Sequence, residues 1–105
     1  MGRIVIAVYK PKPGQEAVLD KLVEGHVGIL REQGLATDRP VSVMRAADGT
    51  VIEIFEWASL KAIEDAHTNQ VVQGLWGEFA AACDFIPLSA VPEAAGMFPD
   101  FEAVG

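Results

Sequence analysis

Few side chains in this sequence can take or give a proton near neutral pH: His26, His67 and, if its surroundings strip it of water, Glu53. Histidine titrates closest to neutrality and so suits general acid–base work. His26 continues a stripe made by Leu19, Leu22, Val23 and Leu30. It reads as a core histidine with one hydrogen bond, since buried polar groups are normally paired, or as a residue facing a pocket. Gly25 and Gly28 lie close by, and each glycine inside a helix costs about 1 kcal/mol relative to alanine. Close helix packing would justify that cost, and so would room for a ligand. His67 follows Leu60 and Ile63 on one stripe. It reads as a histidine bonding the last carbonyls of its helix or as a proton acceptor facing the pocket.

Glu53 alternates onto the same strand face as Val51, Phe55 and Trp57. Facing helices, its carboxylate would lose water; at a sheet edge it would be an ordinary solvated group. Tyr9, Trp57 and Trp76 read most simply as core aromatics whose O–H and N–H groups find partners. Cys83 ends an apolar stripe and reads as a small core residue. As the only cysteine it excludes an intrachain disulfide, which fits a reducing cytoplasm. His26, His67 and Glu53 come from separate segments with no close-spaced ligand pair, so no metal site is expected. The sequence has no glycine-rich phosphate loop, nucleophile elbow or zinc spacing.

The elements that must position these groups follow from periodicity. Arg3 to Lys10 reads as a strand with Ile4, Ile6 and Val8 on one face and Val5, Ala7 and Tyr9 on the other. Both faces are apolar, so both should be covered. Pro11 to Gly14 breaks it, and a helical period runs from Gln15 to about Gln33, with Gly34 as its C-terminal glycine. Strands over Val41–Ala47 and Thr50–Trp57 flank Asp48-Gly49, a strong hairpin signal. Ser59 is placed to cap a helix from Leu60 to His67. Thr68-Asn69 interrupts, and a further helix runs from Gln70 to about Ala82 on the stripe Val72, Leu75, Trp76, Phe79 and Cys83. A last strand is predicted over Asp84–Leu88. In the tail, Pro92 suits the start of a short helix, and Phe98 and Phe101 suit anchors.

This order predicts one α+β domain over residues 1–105, a ferredoxin-like split β-α-β-β-α-β sandwich. Helices would cover one sheet face. The other, carrying Ile4, Ile6, Val8, Ile52 and Ile54, argues for a second sheet packed on it in a symmetric homodimer. Half the chain is hydrophobic, more than one small core needs. The tail, 89–105, is expected to pack on the partner or over the pocket. A net charge of −7, with eight scattered Lys and Arg, supplies no basic face for nucleic acid. No run is long enough to span a membrane. The start shows no signal-peptide or myristoylation pattern, so a cytoplasmic location is expected.

Three motifs carry a resemblance. They are the first strand running into Lys12-Pro13-Gly14, the run Glu53-Ile54-Phe55-Glu56-Trp57-Ala58-Ser59, and Ala66-His67-Thr68-Asn69 leading to Leu75-Trp76. Over nearly its whole length the chain resembles the antibiotic biosynthesis monooxygenase-like family of the dimeric α/β barrel superfamily. The resemblance implies a dimeric α+β barrel with a pocket between sheet and helices. It also implies a functionally mixed group that includes cofactor-free quinone-forming oxygenases and heme-degrading enzymes.

The oxygenases place a tryptophan at the end of the third strand, which Trp57 matches, and an asparagine earlier, where this chain has Glu53. Their further pocket tyrosine and arginine have no evident counterpart. The heme-degrading members use an asparagine, a tryptophan and a histidine at places that fall near Ala7, Ala66 and Trp76, so heme degradation is not expected.

The reading is a cofactor-independent monooxygenase acting on a small phenol- or quinol-type compound. His67 or Glu53 would take the hydroxyl proton, with Trp57 at the catalytic centre. Tyr9 and Trp57 would hold the ring, and His26 and Trp76 would line the pocket. The rivals are a non-catalytic or stress-associated ligand-binding dimer and a proton-transfer isomerase.

Overall fold

A computed structural model describes the whole chain, Met1–Gly105. Its elements are β1 (Arg3–Pro11), α1 (Glu16–Glu32), β2 (Ser42–Arg45), β3 (Val51–Trp57), α2 (Leu60–Ala66), α3 (Gln70–Ala82), β4 (Cys83–Phe85) and β5 (Glu102–Ala103). The strands form one sheet in the order β4-β1-β3-β2-β5, and all neighbours run antiparallel. The architecture is α+β, with three helices packed on one face of the sheet.

Local chemistry sets the boundaries. The Gly34 backbone is left-handed (φ 74°), and Leu35 N–H reaches back to the Leu30 carbonyl, so α1 ends in a glycine-dependent cap. Between β2 and β3, Gly49 takes φ 93° and Asp48 Oδ1 accepts from Thr50 N–H, which closes the hairpin. The Ser59 side chain accepts from Ala62 N–H and caps α2. Asn69, foreseen only as an interruption, caps α3 by accepting from Val72 N–H.

Alternation puts Val5, Ala7 and Tyr9 of β1 on the helix side, together with Val51, Glu53, Phe55 and Trp57 of β3. The core on this side has two parts. One gathers Val27, Leu30, Phe55, Trp57, Ala66 and Val72; the other gathers Tyr9, Leu19, Val23, Val51, Leu75 and Phe79. Trp76 packs against both.

The C-terminal segment departs from expectation. The last helix-following strand was predicted over Asp84–Leu88 and covers only Cys83–Phe85, because Pro87 turns the chain into two short 3-10 turns, Leu88–Ala90 and Pro92–Ala95. The tail does not cross the pocket. It crosses the opposite sheet face of its own chain, where Val91 is buried with Val8, Ala46 and Ile52, and Ala94 and Phe101 pack alongside. It then adds β5 to the free edge of β2, a strand that the proline-rich composition hid. Phe101 is an anchor; Phe98, 86% exposed, is not. The outer face is therefore half covered within one chain. Ile4 and Ile6 remain 58% and 46% exposed. No helix is long and apolar enough to cross a membrane.

Candidate functional site

Glu53 occupies the middle of β3, the central strand, paired with Ala7 of β1 and Val43 of β2. Neither neighbour's side chain can hydrogen-bond the carboxyl, and the Glu53 side chain is 0% exposed. Its partners must come from elsewhere, because an unpaired buried carboxyl is costly. Tyr9, on the same face of β1, donates its hydroxyl to Glu53 Oε1 over 2.8 Å. His26, brought down onto the sheet by the buried stripe of α1, places Nδ1 2.7 Å from the same oxygen.

The other imidazole nitrogen, Nε2, lies 3.3 Å from the indole nitrogen of Trp76 on α3. An indole nitrogen can only donate. In this contact Nε2 is the acceptor, which assigns the ring proton to Nδ1, on the side of Glu53. Three elements thus build one chain of hydrogen bonds: Trp76 to His26 to Glu53, with Tyr9 as a second donor to the carboxylate. Glu53 Oε2 has no partner.

Packing fixes the imidazole plane. Phe55 and Phe79 meet it edge to face, with centroids 5.4 and 5.0 Å away. Burial, then the neighbouring Glu53 charge and the hydrogen bond to it, push the Tyr9 hydroxyl well above its ordinary pKa. Tyr9 stays protonated and serves as a donor, not a base.

Beside this chain of bonds lies a cavity of 290 Å³ between the sheet and α1 and α3. Val5, Ala7 and Tyr9 of β1 and Phe55 and Trp57 of β3 form its floor; His26, Trp76, Phe79 and the half-exposed Phe85 complete it. Apart from His26, the lining residues are apolar or aromatic. Such a space suits a flat apolar molecule oriented by one polar group.

Five of the six residues singled out from sequence converge here. His26, Tyr9, Trp57 and Trp76 line the cavity, and Glu53 lies buried behind His26 and Tyr9. His67 does not. It is exposed at the C-terminus of α2, its Nδ1 is 2.8 Å from the Ile63 carbonyl, and it is not among the cavity's lining residues. The helix-capping reading holds, and the pocket-base reading is corrected: the last turn of α2 offers free carbonyls, and a histidine there satisfies one of them. It meets the site only through Trp76, whose ring is 5.6 Å away edge-on.

Gly25 and Gly28 also read differently in place, since a Cβ at either would meet nothing within 4 Å. They make room for neither a packed helix nor a ligand in the cavity. Ala7, Phe55, Phe79 and Phe85 escaped notice as lining residues. The signal was partly there: Phe55 shares its face with Glu53 and Trp57, and Phe79 its stripe with Trp76.

No group of three His, Cys, Asp or Glu side chains converges as metal ligands would. With the Trp76 indole drawn away, this arrangement can orient a base. A carboxylate holds one imidazole nitrogen and its tautomer, which leaves the other nitrogen as proton acceptor. Comparison with protein-family models, with curated proteins and with solved structures finds no match to this chain.

Proposed function

We propose that this chain is a cofactor-independent monooxygenase for a small hydroxylated aromatic compound of the phenol or quinol type. The observation that carries the reading is His26, anchored through Nδ1 to buried Glu53, with its ring in the wall of an aromatic cavity of 290 Å³. The resemblance of the sequence to the antibiotic biosynthesis monooxygenase-like family points to the same chemistry.

In this mechanism the substrate ring stacks against Trp57 and Tyr9. His26 Nε2 takes the hydroxyl proton, a role that passes to it from His67, and Glu53 balances the imidazolium that forms. The electron-rich anion reduces dioxygen directly. One oxygen atom enters a ring carbon as a carbonyl. The other leaves as water with the hydrogen lost from that carbon and the hydroxyl proton that His26 took, which restores the imidazole. The reductant is the substrate itself.

The proposal includes assembly. A ferredoxin-like sandwich with Ile4 and Ile6 exposed on its outer face would pair that face with a second copy, giving a dimeric α+β barrel in the cytoplasm. Beside these residues runs a groove of 380 Å³ lined by Ile6, Ile54, Leu88 and Phe101.

A proton-transfer isomerase is the second reading, favoured by the same dyad, which needs only to move a proton. A ligand-binding dimer without turnover is the third. The test is oxygen consumption by metal-stripped protein over a panel of hydroquinones, anthrones and flavonols. Uptake above the buffer rate that falls by about 10²-fold or more in His26→Ala supports the oxygenase. Product without uptake selects the isomerase, and binding without product selects the third reading.

A further inference from the structure

Every hydrogen bond in the buried chain is short except one. Tyr9 and His26 hold Glu53 Oε1 at 2.8 and 2.7 Å, whereas the Trp76 indole reaches His26 Nε2 at 3.3 Å. That is the longest of the three. Glu53 and His26 are buried, but Trp76 is only half-buried, held edge-on between Trp57 at 6.3 Å and the exposed His67 at 5.6 Å. The two ends of this bond therefore differ in what they lose when it breaks. An indole N–H released at a half-buried position can turn to water. His26 Nε2, in an otherwise apolar wall, would be left without a partner and at the full cost of that loss.

We propose that the Trp76 indole N–H is an internal stand-in for the ligand. The cavity takes a flat, neutral, apolar molecule bearing one hydrogen-bond donor, and that donor displaces Trp76 from His26 Nε2. Trp76 is then a specificity-determining residue. A ligand that cannot donate leaves the indole in place and gains nothing from His26. A ligand that donates inherits an acceptor whose tautomer Glu53 has already fixed. Anionic ligands meet a buried carboxylate behind the imidazole and are disfavoured. The inference rests on reading the cavity as a ligand site, and it does not depend on oxygen chemistry.

The test is anaerobic titration of the intact protein with 1-naphthol and with its methyl ether, 1-methoxynaphthalene, which has the same rings and no donor. The indole N–H resonances of ¹⁵N-labelled wild-type protein are followed at each addition. The naphthol is expected to bind about tenfold more tightly than the ether, and to shift the Trp76 N–H resonance and speed its exchange with water. The ether should leave that resonance in place. In Trp76→Phe, which keeps an aromatic wall and removes the competing donor, the ratio of naphthol to ether affinity should rise several-fold.

Equal affinities, binding of naphthol with the Trp76 resonance unmoved, or binding of neither compound would each overturn the proposal. If Trp76→Phe fails to fold, the wild-type resonance decides alone. Donor preference without oxygen uptake on any panel compound leaves this inference standing and removes the oxygenase. Oxygen uptake without donor preference does the reverse.

Discussion

At the scale of residues, the site depends on which histidine touches the buried carboxylate. His26→Ala removes the proposed base from the cavity wall and leaves Glu53 with Tyr9 as its single donor, so the proposed turnover should collapse. His67→Ala removes a helix-end contact. It should leave turnover unchanged and cost about 0.5 kcal/mol of stability, measurable by parallel kinetic assays and urea titrations. Loss of activity in His67→Ala with a normal melt would contradict the assignment.

Two buried acids set an alkaline limit. Burial pushes the Cys83 thiol from an ordinary 9.0 to about 11, and it raises the Tyr9 hydroxyl as well. In the unfolded chain both groups release their protons earlier than in the folded one. Stability is therefore fully present below about pH 9 and falls as pH rises toward 11 and beyond. Thermal melts from pH 7 to 11 should show that fall, and Tyr9→Phe with Cys83→Ala should flatten it. A melting temperature independent of pH over this range would refute the burial argument.

The period of two put Glu53 on one face with Val51, Phe55 and Trp57 and left open whether that face meets helices or solvent, because alternation needs only neighbours along the strand. It could not reveal that Tyr9 and His26 share one oxygen of Glu53. That contact depends on strand register and on the seating of α1.

At the scale of elements, the helices were readable because each stripe is written in its own residues. Ser59 and Gly34 marked ends that the chain uses. The tail was less readable. Its prolines and glycines carry no period, and β5 exists only because the free edge of β2 lies within reach. Two helices keep a feature that the single chain does not explain: Gly25 and Gly28 in α1, and Gly74 and Gly77 in α3, are exposed, and a Cβ at any of them would meet nothing within 4 Å. Alanine at these positions should stabilise the chain by about 0.5–1 kcal/mol each, through higher helix propensity and a less flexible unfolded state. The check is the urea midpoint of the single variants. A drop in stability instead would mean that another surface approaches these helix faces in solution.

At the scale of the whole molecule, the chain exposes 6388 Å², against about 5,700 Å² for a typical folded monomer of this mass. The excess agrees with an outer sheet face that the tail covers around Val8, Ala46 and Ile52, leaving Ile4 and Ile6 in water. In the proposed dimer these two residues lie at the interface. Ile6→Glu should then shift sedimentation equilibrium from dimer to monomer with the fold retained by circular dichroism. A wild-type chain that sediments as a monomer would remove the barrel assembly from the account and leave the cavity within each chain intact.

The cavity's chemistry rests on one proton, the one placed on His26 Nδ1 between the imidazole and Glu53. Nitrogen-15 spectra of histidine-labelled protein near neutral pH read it directly. The expected spectrum has the ring proton of His26 on Nδ1, Nε2 at the shift of an unprotonated acceptor, and a change at Nε2 when Trp76→Phe removes its donor. A His26 protonated at Nε2, or at both nitrogens, would contradict it, because the nitrogen not held by Glu53 would then have no lone pair with which to accept a ligand's proton.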